Sequence, residues 1–185
     1  MRIVAGTHKG HPIKAPRGRA TRPTADFVRE AIFNLVGPLQ PAPVLDLFAG
    51  SGALGLEALS RGASRATLVD RSPRAAATIH ANLLALGMED RARVVVADWR
   101  RALAAERAGG HVYGLAMLDP PYRLLPRIAE SLGTALLPLL APGAVVVVEH
   151  DAADPPPALE DLPANGRVDR VYGGTGVSVL RIGAA

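Results

Sequence analysis

Residues 119 to 122 read Asp-Pro-Pro-Tyr and follow the apolar run Gly114-Leu115-Ala116-Met117-Leu118. The tetrapeptide puts a carboxylate, two non-helical carbonyls and a phenol ring at one strand end. Each proline fixes φ, lacks an N–H and pushes the residue before it out of the helical region, so the Asp119 and Pro120 carbonyls are held extended. Acceptors held that way suit a planar amino group. An exocyclic amine on a base can donate to the Asp119 side chain and the Pro120 carbonyl while Tyr122 covers the ring face. The competing possibility is a strand that simply ends in a Pro-Pro turn.

A second stretch, Asp46-Leu47-Phe48-Ala49-Gly50-Ser51-Gly52-Ala53-Leu54-Gly55, carries the other half of the chemistry. Gly50 to Gly55 matches G-x-G-x-x-G, and Asp70, 20 residues after Gly50, stands where a ribose-binding acid is expected. A dinucleotide is therefore one candidate occupant. Asp46 argues against it: a carboxylate on the strand beside the turn repels a pyrophosphate and attracts an ammonium or sulfonium. S-adenosylmethionine carries both cations and no phosphate, and its ribose still calls for an acid such as Asp70. Asp98, ending a third strand, can accept from the adenine amine, with Trp99 packed near the ring. The structural alternatives are an N-cap role for Asp98 and a core position for Trp99. No Lys, Tyr or His stands in a hydride-transfer arrangement.

These residues need a scaffold that brings strand ends together. From Val44 the pattern alternates short apolar runs with helical segments. Strands are read at Val44 to Phe48, Ala66 to Val69, Arg93 to Ala97, Leu115 to Leu118 and Ala144 to Glu149, with helices over roughly 52–61, 73–86, 99–107 and 125–140. That alternation predicts an α/β fold with a mostly parallel, doubly wound sheet. Ser72-Pro73 reads as a helix start, and Gly62 and Gly87 stand just past helix ends. Arg167 to Tyr172 and Gly176 to Ile182, joined by Gly173-Gly174-Thr175, predict a closing antiparallel β-hairpin. Upstream, Arg2 to Ala5 and His11 to Ala15 predict a small β-hairpin, a loop runs to Pro23, and Thr24 caps a helix to about Val36. The expected division is a basic extension over 1–23 and a catalytic domain over 24–185.

The chain has 185 residues, enough for one domain with a substantial core. No window reaches the roughly 18 uncharged apolar residues of a membrane span, and the start lacks a signal-peptide apolar region. A cytoplasmic protein without membrane contact is expected. With no cysteines, disulfides and thiolate metal sites are excluded. His8, His11, His80, His111 and His150 have no metal-ligand spacing, so no metal is expected. Six of the 21 basic residues (Arg2, Lys9, Lys14, Arg17, Arg19, Arg22) and none of the 17 acidic ones fall in residues 1 to 25, which assigns the net charge of +4 to the N-terminus. Such an arm is an electrostatic footprint for a polyanion, and the alternative is a solvated tail.

The two motifs together resemble the S-adenosylmethionine-dependent amino-methyltransferases of the Asp-Pro-Pro-Tyr type. The start Met1-Arg2-Ile3-Val4-Ala5-Gly6, the segment Arg22-Pro23-Thr24 to Arg29-Glu30, the run from Ala53 to Ala63 and the closing Tyr172-Gly173-Gly174-Thr175 narrow this. With them, nearly the whole chain is similar to bacterial 16S rRNA guanine-N2 methyltransferases of the guanine-966 type. The resemblance implies a Rossmann-like methyltransferase fold, and methyl transfer to guanine N2 with S-adenosylhomocysteine as product. Asp119, Pro120, Pro121 and Tyr122 would receive the base. Asp46, Phe48, Ala49, Gly50, Ser51, Gly52, Asp70, Arg71, Asp98 and Trp99 would hold the cofactor, with Thr21, Arg22 and Thr24 folding over it. The basic arm would contact 16S rRNA in a small subunit or assembly intermediate, and the enzyme would act as a monomer. The chain departs from the family at Arg71 and at Gly174, where an acid is expected.

Three rivals remain at the sequence level. A DNA amino-methyltransferase could use the same motifs, but the chain has no room for a sizeable sequence-reading domain. A protein-glutamine methyltransferase would be expected to carry Asn at 119. A non-enzymatic rRNA-binding assembly factor would not need an intact Asp119 to Tyr122.

Overall fold

The computed structural model describes residues 1–15, 26–159 and 161–183. Its centre is a seven-stranded sheet: β1 (Val44–Leu47), β2 (Ala66–Asp70), β3 (Ala92–Val96), β4 (Tyr113–Leu118), β5 (Leu140–Asp151), β6 (Ala164–Tyr172) and β7 (Thr175–Ile182), in the order β3-β2-β1-β4-β5-β7-β6. The first five strands are parallel, and β7 pairs antiparallel with both β5 and β6. This is the expected Rossmann-like order. The order in which successive strands are added reverses at the β1/β4 boundary, so the C-terminal ends of β1 and β4 open a crevice suited to a ligand.

Side chains alternate between two cores, as period two requires. Val44, Leu115, Met117, Val145 and Val147 face one core with α1 (Asp26–Val36), α2 (Ala53–Ser60) and α3 (Pro73–Leu86). Leu45, Leu47, Ala116, Leu118, Val146 and Val148 face the other, with α4 (Trp99–Ala108) and α5 (Leu125–Leu136). By the same alternation Asp46, Asp119 and Glu149 belong to the face covered by α1 to α3. Ser72 caps α3 by accepting from Ala75 N, with Pro73 following and Gly87 left-handed at the far end.

Several expected boundaries move. β1 ends at Leu47 because Phe48 takes a left-handed conformation, φ 69°, which turns the chain toward Asp70. α5 stops at Leu136 rather than 140. Pro138 lacks the N–H that would bond the Thr134 carbonyl, and a single 3-10 turn over Leu137–Leu139 follows. β5 then begins at Leu140, and a register shift against β4 between Tyr113 and Leu115 absorbs the extra residues.

The N-terminal hairpin is short: around one bridge between Arg2 and Pro12, Ile3 N donates to the His11 carbonyl and Ile13 N to that of Met1, while donors between them turn to α2. Val4 N and Ala5 N donate to the two carboxylate oxygens of Glu57 on α2, at 2.7 and 2.9 Å. Thr7 N donates to the Ser60 carbonyl and His8 N to Ser60 Oγ. Gly6 has φ 82°, and a Cβ there would sit 1.9 Å from the Ser60 carbonyl oxygen, so only glycine permits this approach. Ile3 and Ile13 join the core on that face.

Candidate active site

A cleft of about 670 Å³ opens at the C-terminal ends of β1, β2, β4 and β5. Asp46, Phe48, Ala49, Gly50, Ser51, Asp70, Arg71, Asp98, Trp99 and the whole of Asp119 to Tyr122 line it. Gly52 alone of the cofactor candidates is absent from the wall. It serves the loop instead, as the left-handed N-cap of α2 with φ 79°.

The loop geometry separates the two candidate occupants. Asp46 Oδ2 accepts the backbone N–H of Gly55 in the first turn of α2 at 2.8 Å, and Asp70 Oδ2 accepts that of Gly50 at 2.9 Å. These N–H groups are the kind that would bind a pyrophosphate. Here carboxylates already take them and leave the cleft negative. Burial pushes the Asp46 carboxyl up to about 7, against the Gly55 hydrogen bond and with help from the charges of Asp119 and Asp70. A cationic ligand relieves that repulsion, whereas a dinucleotide increases it. The donor set thus fits a cationic nucleoside without phosphate.

Asp70 also accepts from Ser72 N through Oδ1, so it braces the glycine loop with one oxygen and the start of α3 with the other. Each oxygen keeps a lone pair for a ribose hydroxyl. Asp98 is the N-cap of α4 and accepts from Arg100 N at 3.0 Å while remaining exposed on the cleft. Trp99 is buried in the core beneath α4, with the Arg100 guanidinium 4.3 Å from its ring centroid.

At the end of β4, Asp119 N donates to the Leu47 carbonyl, which fixes the motif against β1. Leu124 N donates to the Pro121 carbonyl at 2.7 Å, and Pro120 stands on the cleft wall. The Tyr122 hydroxyl lies 3.3 Å from Thr175 Oγ1, so the β6–β7 hairpin reaches the site through Thr175.

Four wall residues escape the sequence motifs. Glu149 ends β5, is 2% exposed, and its carboxyl is held well above the usual range by burial and by the charges of Asp119 and Asp46, with Arg29 opposing. An acid closing the run Val145 to Val148 is the signal that could have found it. Arg29, fully buried on α1, pairs with Asp26 at 2.9 Å and Glu57 at 3.4 Å and donates to the Arg2 carbonyl. Arg29 Nη1 and Glu149 Oε1 are the buried side-chain atoms without a hydrogen-bond partner among the described residues. Arg123 and Arg127 stand exposed at the rim, just after Tyr122.

A putative rRNA methyltransferase, YlbH, of Bacillus subtilis is 40% identical over 98% of both chains. Ribosomal RNA small subunit methyltransferase D of Escherichia coli is 36% identical over 92% of this chain and 83% of its own. Among solved structures, a putative methyltransferase yhhF from Escherichia coli superposes with a TM-score of 0.82 at 33% identity, covering 100% of this chain and 99% of the other. Residues 1–179 match the family described as conserved hypothetical protein 95. The chain belongs to the ribosomal RNA small subunit methyltransferase D family. Its fold is accordingly the methyltransferase variant of the Rossmann-like sheet.

Of the family's basic arm, Arg2, Lys9 and Lys14 are exposed, and Arg2 also pairs with Asp26 at 3.5 Å. Arg17, Arg19, Arg22, Thr21 and Thr24 lie outside the described residues. No group of His, Asp or Glu among the described residues has metal-site geometry.

Proposed function

We propose that this chain transfers a methyl group from S-adenosylmethionine to the exocyclic N2 of a guanine in small-subunit ribosomal RNA, guanine-966 by family resemblance. The observation that carries the reading is the meeting of Asp119, Pro120 and Tyr122 with Asp46 and Asp70 in one acidic cleft. Bound S-adenosylmethionine supplies an electrophilic methyl group on a sulfonium, which a nucleophilic amine can take in one displacement.

The chain's own residues then have separate tasks. Asp119 and the Pro120 carbonyl accept the two N2 hydrogens, which orients the nitrogen lone pair and favours positive charge developing there. Tyr122 stacks on a base extruded from its neighbours, and its hydrogen bond with Thr175 sets the ring's position. Asp46 neutralises cationic charge, Asp70 takes ribose hydroxyls and Asp98 takes the adenine amine. Arg2, Lys9, Lys14, Arg17, Arg19 and Arg22, together with Arg123 and Arg127 at the rim, hold phosphates. The partner is 16S rRNA in the cytoplasm, in a small subunit or an assembly intermediate, and the enzyme works as a monomer.

The test incubates the protein with labelled S-adenosylmethionine and naked RNA, assembled small subunits or DNA, then digests the product to nucleosides. Label in N2-methylguanosine is expected. Label in N6-methyladenosine overturns the guanine reading, and absence of transfer to every substrate favours the assembly-factor reading.

A further inference from the structure

Glu149 follows Val148, which pairs with Leu118 across β4 and β5, so it stands in register beside Asp119, about 4.8 Å away along the sheet. Its Oε1 is buried, has no hydrogen-bond partner among the described residues, and belongs to a residue on the cleft wall. A buried polar oxygen left unpaired carries a desolvation penalty that a ligand donor removes. The Asp119 carboxylate and Pro120 line the same cleft, so three acceptor groups converge on this end of it.

Only one nucleobase matches such a set. Guanine presents N1–H beside its exocyclic amine, giving three hydrogens on adjacent nitrogens. Adenine and cytosine place an unprotonated ring nitrogen beside theirs, and that lone pair would face the Glu149 oxygen. Resting on the reading of the target as a nucleobase amine, we propose that Glu149 is the specificity residue that accepts guanine N1–H and rejects amines flanked by a ring acceptor. The rival role is to balance the buried charge of Arg29, which also faces Glu149 electrostatically. That role predicts no preference between bases.

The test compares RNA carrying guanosine with the same RNA carrying 2-aminopurine at the target. 2-Aminopurine keeps the reacting amine and turns N1 from a donor into an acceptor. Wild-type protein is expected to prefer guanosine in kcat/KM, on the order of 10- to 100-fold. Glu149→Gln keeps the shape, replaces one carboxyl oxygen by an amide nitrogen and can turn an amide N–H toward N1. It is expected to narrow the preference at least about tenfold, chiefly by gaining on 2-aminopurine, with unchanged cofactor affinity. An equal loss on both substrates, an unchanged ratio, or loss of cofactor affinity overturns the proposal. Failure of the wild-type protein to methylate guanosine is a separate outcome, and it strikes the reaction rather than this residue.

Discussion

Asp46 on β1 accepts the backbone N–H of Gly55 on α2 at 2.8 Å, so one carboxylate closes the first turn of the helix and lines the ligand cleft. The hydrogen bond lets a buried acid be tolerated without a counter-charge. Its carboxyl, normally near 3.8, is nevertheless pushed to about 7. A group whose folded pKa is raised holds its proton more tightly in the native state than in the unfolded chain. Its contribution to stability is complete below about 4 and is lost as pH climbs to about 7. Asp46→Asn keeps an oxygen for Gly55 N and removes the charge. The variant is expected to be more stable than wild type at pH 8 by on the order of a few kcal/mol, with a shallower decline from acid to neutral pH. Urea unfolding across that range checks it, and parallel curves for the two proteins refute it.

Cation binding carries the opposite pH dependence. An ammonium or sulfonium favours the ionised Asp46, so binding releases a proton while the group is still protonated. Affinity for S-adenosylmethionine is expected to rise by up to about tenfold per pH unit below about 7 and to level off above it. Asp46→Asn should bind weakly with little pH dependence. Calorimetry in buffers of different ionisation enthalpy reads the proton release directly.

On the proposed function Asp119 serves the base and not the cofactor. Asp119→Ala is expected to keep cofactor affinity within about threefold while kcat falls by roughly 100-fold or more. Loss of cofactor binding at the outset would move the residue into the other subsite.

Glu57 organises the N-terminus rather than the chemistry. It is fully buried, takes the N–H groups of Val4 and Ala5, and pairs with Arg29 and with Arg61 at 2.7 Å. Glu57→Ala leaves the buried Arg29 with Asp26 as its remaining ion-pair partner and is expected to cost up to about 3–5 kcal/mol. Hydrogen exchange at Val4 and Ala5 should rise with the loss of stability. Protection retained at those amides would mean that the segment docks through Ile3 and Ser60 alone.

The parts legible in the sequence are those whose signal is local. Asp119-Pro120-Pro121-Tyr122 and the glycine turn carry their own backbone rules, and the alternation of apolar runs with helical segments predicts the parallel strands. The illegible parts depend on distant partners. Residues 2–15 have the turns and alternation of a hairpin, yet for Val4, Ala5, Thr7 and His8 the acceptors are on Glu57 and Ser60, more than 50 residues away. Glu149 and Arg29 reach the cleft only because β5 lies beside β4 and α1 covers that face of the sheet. Phe48 reads as a strand residue, and its left-handed turn follows from the pull of Ala49 N on the Val69 carbonyl and Gly50 N on Asp70.

Two groups of cations compete for the role of phosphate contacts, the N-terminal arm and the rim pair Arg123 and Arg127. Both are sequence-independent in what they read, so salt dependence rather than base preference distinguishes them. Neutralising Arg17, Arg19 and Arg22 together is expected to lower the slope of log affinity against log salt by about 2, at roughly 0.7 per contact to single-stranded RNA. The change should be equal for target and non-target RNA. Arg123→Ala with Arg127→Ala should take away about 1.4 more, and should also lower kcat, since these residues follow the motif proposed to receive the base. An arm variant with an unchanged slope would assign residues 17–22 to solvent and leave the rim as the phosphate site.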